Sequence, residues 1–177
     1  MKARISDNPA LLERGREVIN LEAQALNLLA NSLDEGFAAA CEVILGTRRQ
    51  LVVTGMGKSG HVARKIAATF AATGTPAIYV HPGEAAHGDL GMIDDGDVVL
   101  VLSNSGNTAE LRAILTFARQ RGIPVIGVAS RRNSLVFDLA DIALLLPPVR
   151  EACAVNVAPT TSTTMQLALG DALAMTV

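Results

Sequence analysis

Apolar residues fall near helical spacing through the first part of the chain, at Leu11, Leu12, Val18, Ile19, Leu21, Leu26, Leu28 and Leu29. Ser32-Leu33-Asp34-Glu35 reads as a break and a fresh start. A second helix is predicted over 37–45, with Gly46 as its C-cap. Beyond that point short apolar runs alternate with longer amphipathic stretches. The runs at 50–54, 76–80, 97–102, 124–129 and 142–146 predict strands. The stretches at 58–73, 108–121, 135–139 and 159–175 predict helices, and 81–91 reads as irregular with room for a short helix. Five strands alternating with helices predict a doubly wound α/β architecture around a five-stranded parallel sheet. The expected organisation is one globular unit. Residues 1–46 form N-terminal helices that pack on the domain or inside an oligomer, and 47–177 form the sheet domain.

Composition narrows the classes. At 177 residues the chain can bury a substantial core, and half of it is hydrophobic. Aromatics are only 3% and Trp is absent, so Ala, Val, Leu and Ile must supply the packing. A net charge of −2 with so few aromatics argues against a nucleic-acid surface. No apolar run approaches the ~20 residues of a membrane span. Cys41 and Cys153 lie far apart and form no CxxC pair, which reads as two free thiols in a reducing compartment. The expected setting is the cytoplasm.

Ligands of parallel sheets bind beyond the carboxyl ends of the strands. There the unusual polar residues concentrate. Ser103-Asn104-Ser105-Gly106-Asn107-Thr108 joins a strand to a helix, where free backbone N–H groups and hydroxyls suit a phosphate dianion. Asn107 with Glu110 also fits a helix capping box, which leaves Ser103, Asn104 and Ser105 unexplained. Gly55-Met56-Gly57-Lys58-Ser59-Gly60 matches GxGxxG, but His81-Pro82 stands where a dinucleotide site needs an acid. Val52 excludes a P-loop, which needs glycine there. What remains is a tight turn presenting Lys58 and Ser59, either to solvent or to an anion. His81, Glu84, His87 and Asp89 crowd one loop, as metal ligands, satisfied loop residues or sugar contacts. After the fifth strand come Glu151 beside Arg150 and the hydroxyl run Thr160 to Thr164, readable as a helix cap or as a phosphate-facing helix start.

These residues resemble the sugar isomerase (SIS) domain family, and within it the arabinose 5-phosphate isomerases. The matching words are Gly55-Met56-Gly57-Lys58-Ser59-Gly60-His61, Gly74-Thr75-Pro76, the run from His81 to Met92, Ser103-Asn104-Ser105-Gly106, Glu151-Ala152-Cys153 and Ala158-Pro159-Thr160. The resemblance implies a flavodoxin-like sheet and a homotetramer. It implies interconversion of ribulose 5-phosphate and arabinose 5-phosphate through a cis-enediol, feeding 3-deoxy-manno-octulosonate and lipopolysaccharide synthesis, with no cofactor. The family's functional lysine falls on Lys58 and its two functional glutamates on Glu110 and Glu151. Its sugar contacts fall on Gly74, Thr75, His81 and His87, the last also a candidate for acid–base ring opening. The family's zinc is inhibitory, touches the position of His81, and is not required. Phosphate ligands are expected at Ser59, Ser103, Asn104, Ser105 and Thr108, with Thr160 and Ser162 as additions. Asn107 departs from the glutamate frequent in relatives. Members also continue into a segment with another functional histidine and then CBS repeats, whereas this chain stops at Val177, so an inactive or weakly active polypeptide is expected. Two other readings stand beside the first: a non-catalytic sugar-phosphate sensor, and an isomerase for another phosphosugar.

Overall fold

Residues 8–177 are described in the computed structural model of this chain. Helix α1 spans Pro9–Ser32; the Asn8 side chain accepts a hydrogen bond from the Ala10 amide at 3.1 Å, and Pro9 sits where a helix needs no N–H. Leu33 turns extended and Asp34 caps α2, Glu35–Leu45, through the Gly36 amide at 2.9 Å. The break predicted at 32–35 is therefore a capped restart.

The alternating part contains β1 (Leu51–Gly55), α3 (Lys58–Ala72), β2 (Ala77–Val80) and the short α4 (Pro82–Ala85). A 3-10 turn at Asp89–Met92 leads to β3 (Val98–Leu102), α5 (Leu111–Arg121), β4 (Val125–Ala129), α6 (Leu135–Leu139), β5 (Ile142–Leu145) and α7 (Thr161–Thr176). All five strands are parallel in the order β2-β1-β3-β4-β5, as a doubly wound sheet requires. Strands β1, β3 and β4 are buried along their whole length, which explains why their sequences read as continuous apolar runs.

Side chains alternate between two cores. Leu51, Val53, Leu100, Leu102 and Ile126 face α1, α2, α3 and α7, while Val52, Val99 and Val101 face α4, α5 and α6. Each fully buried Leu, Ile or Phe, such as Phe70 or Leu115, contributes roughly 1.5–3 kcal/mol by leaving water. Helices α3 and α7 lie side by side: Gly170 admits Ile66, and Lys65 pairs with Asp171. Helix α2 belongs to the first core through Ala40, Cys41 and Ile44. In contrast, α1 buries only Ala25 and Leu29 and leaves Leu11 and Ile19 each 68% exposed.

Helices α5 and α7 start later than their sequences suggest, α7 at Thr161 rather than 159. Helix α5 begins at Leu111 rather than 108, and its N-cap Glu110 makes no side-chain capping bond. The capping box between Asn107 and Glu110 is not formed, because the Asn107 side chain is committed elsewhere.

Candidate functional site

The sheet order puts a topological switch point between β1 and β3. The chain leaves β1 toward α3 on one face and β3 toward α5 on the other. Gly55 pairs with Leu102 at the ends of these strands, so the Gly55–Ser59 turn and the Ser103–Thr108 loop start side by side. The ends of β2, β4 and β5 bring His81, Ser130 and Pro147 to the same edge.

The Ser103–Thr108 loop is tightly built. Buried Ser103 turns its Oγ inward, accepting from the Gly106 amide at 3.1 Å and lying 3.0 Å from Thr108 Oγ1. Ser105 Oγ accepts from the Asn107 amide at 3.2 Å. From behind, Ser130 donates from both N (2.9 Å) and Oγ (2.7 Å) to the Asn104 carbonyl. Asn107 Oδ1 accepts from the Leu135 amide at 3.0 Å, and the Gly106 carbonyl from the Val136 amide at 3.0 Å. The start of α6 thus clamps the loop, and Asn107 caps α6 instead of α5. Gly106, at φ +70°, takes the backbone through a conformation unfavourable for any L side chain. A loop fixed before ligand arrives loses little entropy on binding.

Lys58 opens α3 and is exposed, among the described residues without an ion-pair partner, and Ser59 beside it is half-buried. The turn is held by Tyr79, whose hydroxyl donates to the Gly55 carbonyl at 3.0 Å, with the Arg64 guanidinium 4.0 Å above its ring. His81 Nδ1 accepts from the Gly83 amide at 3.2 Å and caps α4. His87 and Glu110 are exposed.

Glu151 has a different environment. Its Oε2 accepts from the Thr160 amide (2.8 Å), the Thr160 hydroxyl (3.0 Å) and the Ser162 amide (3.2 Å). The carboxylate therefore caps α7 itself. Burial alone would push this carboxyl up, but the hydrogen bonds from Ser162 and Thr160 outweigh it and hold it below the usual glutamate range. Arg14 of α1 reaches the adjoining Ala152 carbonyl at 2.6 Å, a contact across 138 residues that no local pattern announces.

Strand pairing thus sets the Ser103–Thr108 loop beside the Lys58–Ser59 turn at the carboxyl end of the sheet, and hydrogen bonds join Thr160 and the Ser162 amide to Glu151. The structure does not bring Gly74 and Thr75 there within one protomer. They precede β2, at the opposite edge of the sheet, where the Thr75 amide bonds back to the Phe70 carbonyl at 3.0 Å. Sequence reasoning gave Ser130 no role beyond its place at a strand end, and passed over Ser134 and Gln166. Buried Ser134 lies against Gly106, and the fully buried Gln166 amide has no hydrogen-bond partner. A polar residue on an apolar helix face was the available signal for Gln166. Among the described residues, no three His, Cys, Asp or Glu side chains gather to hold a metal, and no helix is long and apolar enough to cross a membrane.

Residues 44–176 match the SIS domain family. The chain is 49% identical over 162 residues to the arabinose 5-phosphate isomerase KdsD of Francisella tularensis, covering 90% of this chain and 50% of that protein. It is 46% identical over 171 residues to KdsD of Pseudomonas aeruginosa, covering 97% of this chain and 52% of that protein. The chain spans about half the length of the curated relatives it matches. Among solved structures, Escherichia coli CFT073 c3406 in complex with arabinose 5-phosphate superposes with a TM-score of 0.92 at 37% identity, covering 97% of this chain and 91% of that one.

Proposed function

The chain belongs to the SIS-domain family, and on that premise we propose that it interconverts ribulose 5-phosphate and arabinose 5-phosphate. The observation that carries this reading is the pre-built Ser103–Thr108 loop beside the Lys58–Ser59 turn at the β1/β3 switch point. Relatives named for this activity are 45–49% identical to the chain over 162–163 aligned residues, half of their own length, and a solved relative is in complex with arabinose 5-phosphate.

In this reading Ser59, Asn104, Ser105 and the one hydroxyl hydrogen that the Ser103–Thr108 pair leaves uncommitted hold the phosphate dianion, with backbone amides supplying further donors. Fixing the unreactive end orients C1 and C2 of the open-chain sugar. Glu151 takes a proton from one of these carbons to give the cis-enediol and returns it to the other. Lys58 stabilises the charge that develops on the enediolate oxygen. Glu110 orients Lys58 or assists the transfer. His87 opens the sugar ring by acid–base action, and His81 contacts the sugar. No redox cofactor enters, since the hydrogen moves as a proton, and zinc at His81 inhibits rather than assists. The product feeds 3-deoxy-manno-octulosonate synthesis in the cytoplasm.

Gly74 and Thr75 serve the sugar only from a neighbouring copy, because they stand at the far edge of their own sheet. This supports a homotetramer in which crevices are completed between subunits, and the exposed Leu11, Leu12 and Ile19 of α1 give the 1–46 segment apolar surface to bury there. The test is calorimetric titration with arabinose 5-phosphate and with arabinose, paired with a turnover assay. The expected result is binding that requires the phosphate and falls at least about tenfold in the Ser103→Ala/Ser105→Ala variant. Unweakened binding by that variant refutes the phosphate seat. Tight binding without turnover overturns this reading and fits instead a sensor or the inactive polypeptide expected from the sequence.

A further inference from the structure

Thr160 is expected from the sequence among the phosphate ligands, yet its polar atoms are already committed. Its amide and hydroxyl both donate to Glu151 Oε2, at 2.8 and 3.0 Å, and its hydroxyl oxygen accepts from the Ala152 amide at 2.8 Å. Its carbonyl accepts from the Thr163 and Thr164 hydroxyls, at 2.8 and 3.1 Å. As the N-cap of α7, Thr160 would ordinarily turn its hydroxyl toward the helix; it makes no such bond. The side chain faces the loop and the glutamate takes the capping role. Every hydrogen bond Glu151 accepts from described residues falls on Oε2, and Oε1 receives none.

We propose that Thr160 is a positioning residue for Glu151: it anchors Oε2 and leaves Oε1 as the oxygen that exchanges the proton, and it is not a phosphate ligand. The assignment rests on Glu151 being the base of the proposed isomerisation. A carboxylate with one oxygen saturated and the other open is fixed in plane and rotation, which a proton transfer between adjacent carbons demands. The other charged or titratable groups around the carboxylate are Arg14 of α1 and, on the same loop, Arg150 and Cys153. None forms an ion pair with Glu151 among the described residues, and the first turn of α7 carries no acidic residue.

The experiment compares the whole chain with its Thr160→Val and Thr160→Ser variants; Thr160→Ala replaces valine if the latter does not fold. Carbon-13 NMR follows the Glu151 carboxyl through a pH titration, assigned with Glu151→Gln, while calorimetry measures arabinose 5-phosphate and inorganic phosphate binding. The expected result in Thr160→Val is an upward move of the Glu151 titration, because a donor to the charged form is lost. Phosphate affinities stay within about twofold. In turnover, kcat falls roughly tenfold or more with KM nearly unchanged, and the acid limb of the rate profile moves to higher pH. Thr160→Ser restores all of these. A Glu151 titration that does not move, with phosphate binding weakened about tenfold or more, overturns the proposal. A wild-type chain that binds the sugar phosphate without turnover overturns the isomerase reading instead, and the titration and binding arms still decide the role of Thr160.

Discussion

Gly106→Ala tests the rigidity of the phosphate loop with a single methyl group. Two independent costs arise. At φ +70° an L residue carries a steric penalty of about 1–2 kcal/mol. The new methyl would also fall on Ser134 Oγ, within 2.5 Å of Ser134 Cβ and 3.2 Å from Ala129 Cβ. Overpacking of this kind costs typically ~1–3 kcal/mol. The sum is roughly 2–5 kcal/mol, large against a domain stability of about 5–15 kcal/mol but short of unfolding the chain. Ser134→Gly separates the costs. The Ser134 hydroxyl has no hydrogen-bond partner and makes no capping bond to α6, so its removal sacrifices no polar contact. Glycine at an N-cap costs only a few tenths of a kcal/mol against serine. With Ser134 reduced to glycine the severe overlap is gone and only the closer-than-ordinary contact with Ala129 Cβ at 3.2 Å remains of the three, so Gly106→Ala should then cost about 1–2 kcal/mol, chiefly the backbone share. Urea denaturation of the four proteins gives the cycle, and the expected coupling is ~1–3 kcal/mol. An equal cost in both backgrounds refutes the clash, and a cost below about 0.5 kcal/mol with serine present refutes the picture of a loop pinned against α6.

Three further outcomes rest on separate features. Because the folded-state value of Glu151 lies below its unfolded value of about 4.3, its contribution to stability is complete above that pH and fades as the pH falls toward the lowered value. The stability gap between wild type and Glu151→Gln should thus narrow between about pH 7 and pH 3, and a constant gap contradicts this. Gln166→Leu replaces an unpartnered buried amide by an apolar group of similar shape, so the protein should gain about 1 kcal/mol in urea denaturation; a loss of that size shows the amide is satisfied. The backbone amides of Ala158, Val157, Val155 and Asn156 hold the Cys153 thiol below its ordinary range, while burial pushes buried Cys41 up. Iodoacetamide at neutral pH, read by peptide mass spectrometry, should label Cys153 first, and prior labelling of Cys41 contradicts the assignment.

The periodic features of this chain are legible from its residues. Runs such as Val98-Val99-Leu100-Val101 announce a strand buried on both faces, and 58–73 and 159–175 announce helices, because burial periodicity is written locally. Strand ends are local too, so the polar words at 55–59 and 103–108 fall on one edge of the sheet from their positions in the chain alone. Hydrogen-bond partners are not local. Asn107 and Glu110 fit a capping box, yet the Leu135 amide, 28 residues away, takes the asparagine oxygen once α6 packs behind the loop. Thr160 and the Ser162 amide look like free donors at a helix start until Glu151 comes against them, while the buried Ser162 hydroxyl keeps no partner. Gly74 and Thr75 are 7 positions or fewer from His81 in the sequence, but a strand lies between them, and its length carries them to the other edge of the sheet. Sequence alone determined which residues could bond an anion or carry a proton. The tertiary structure decided which of them remain free to do so, because a donor already satisfied within the fold has little left to offer a ligand.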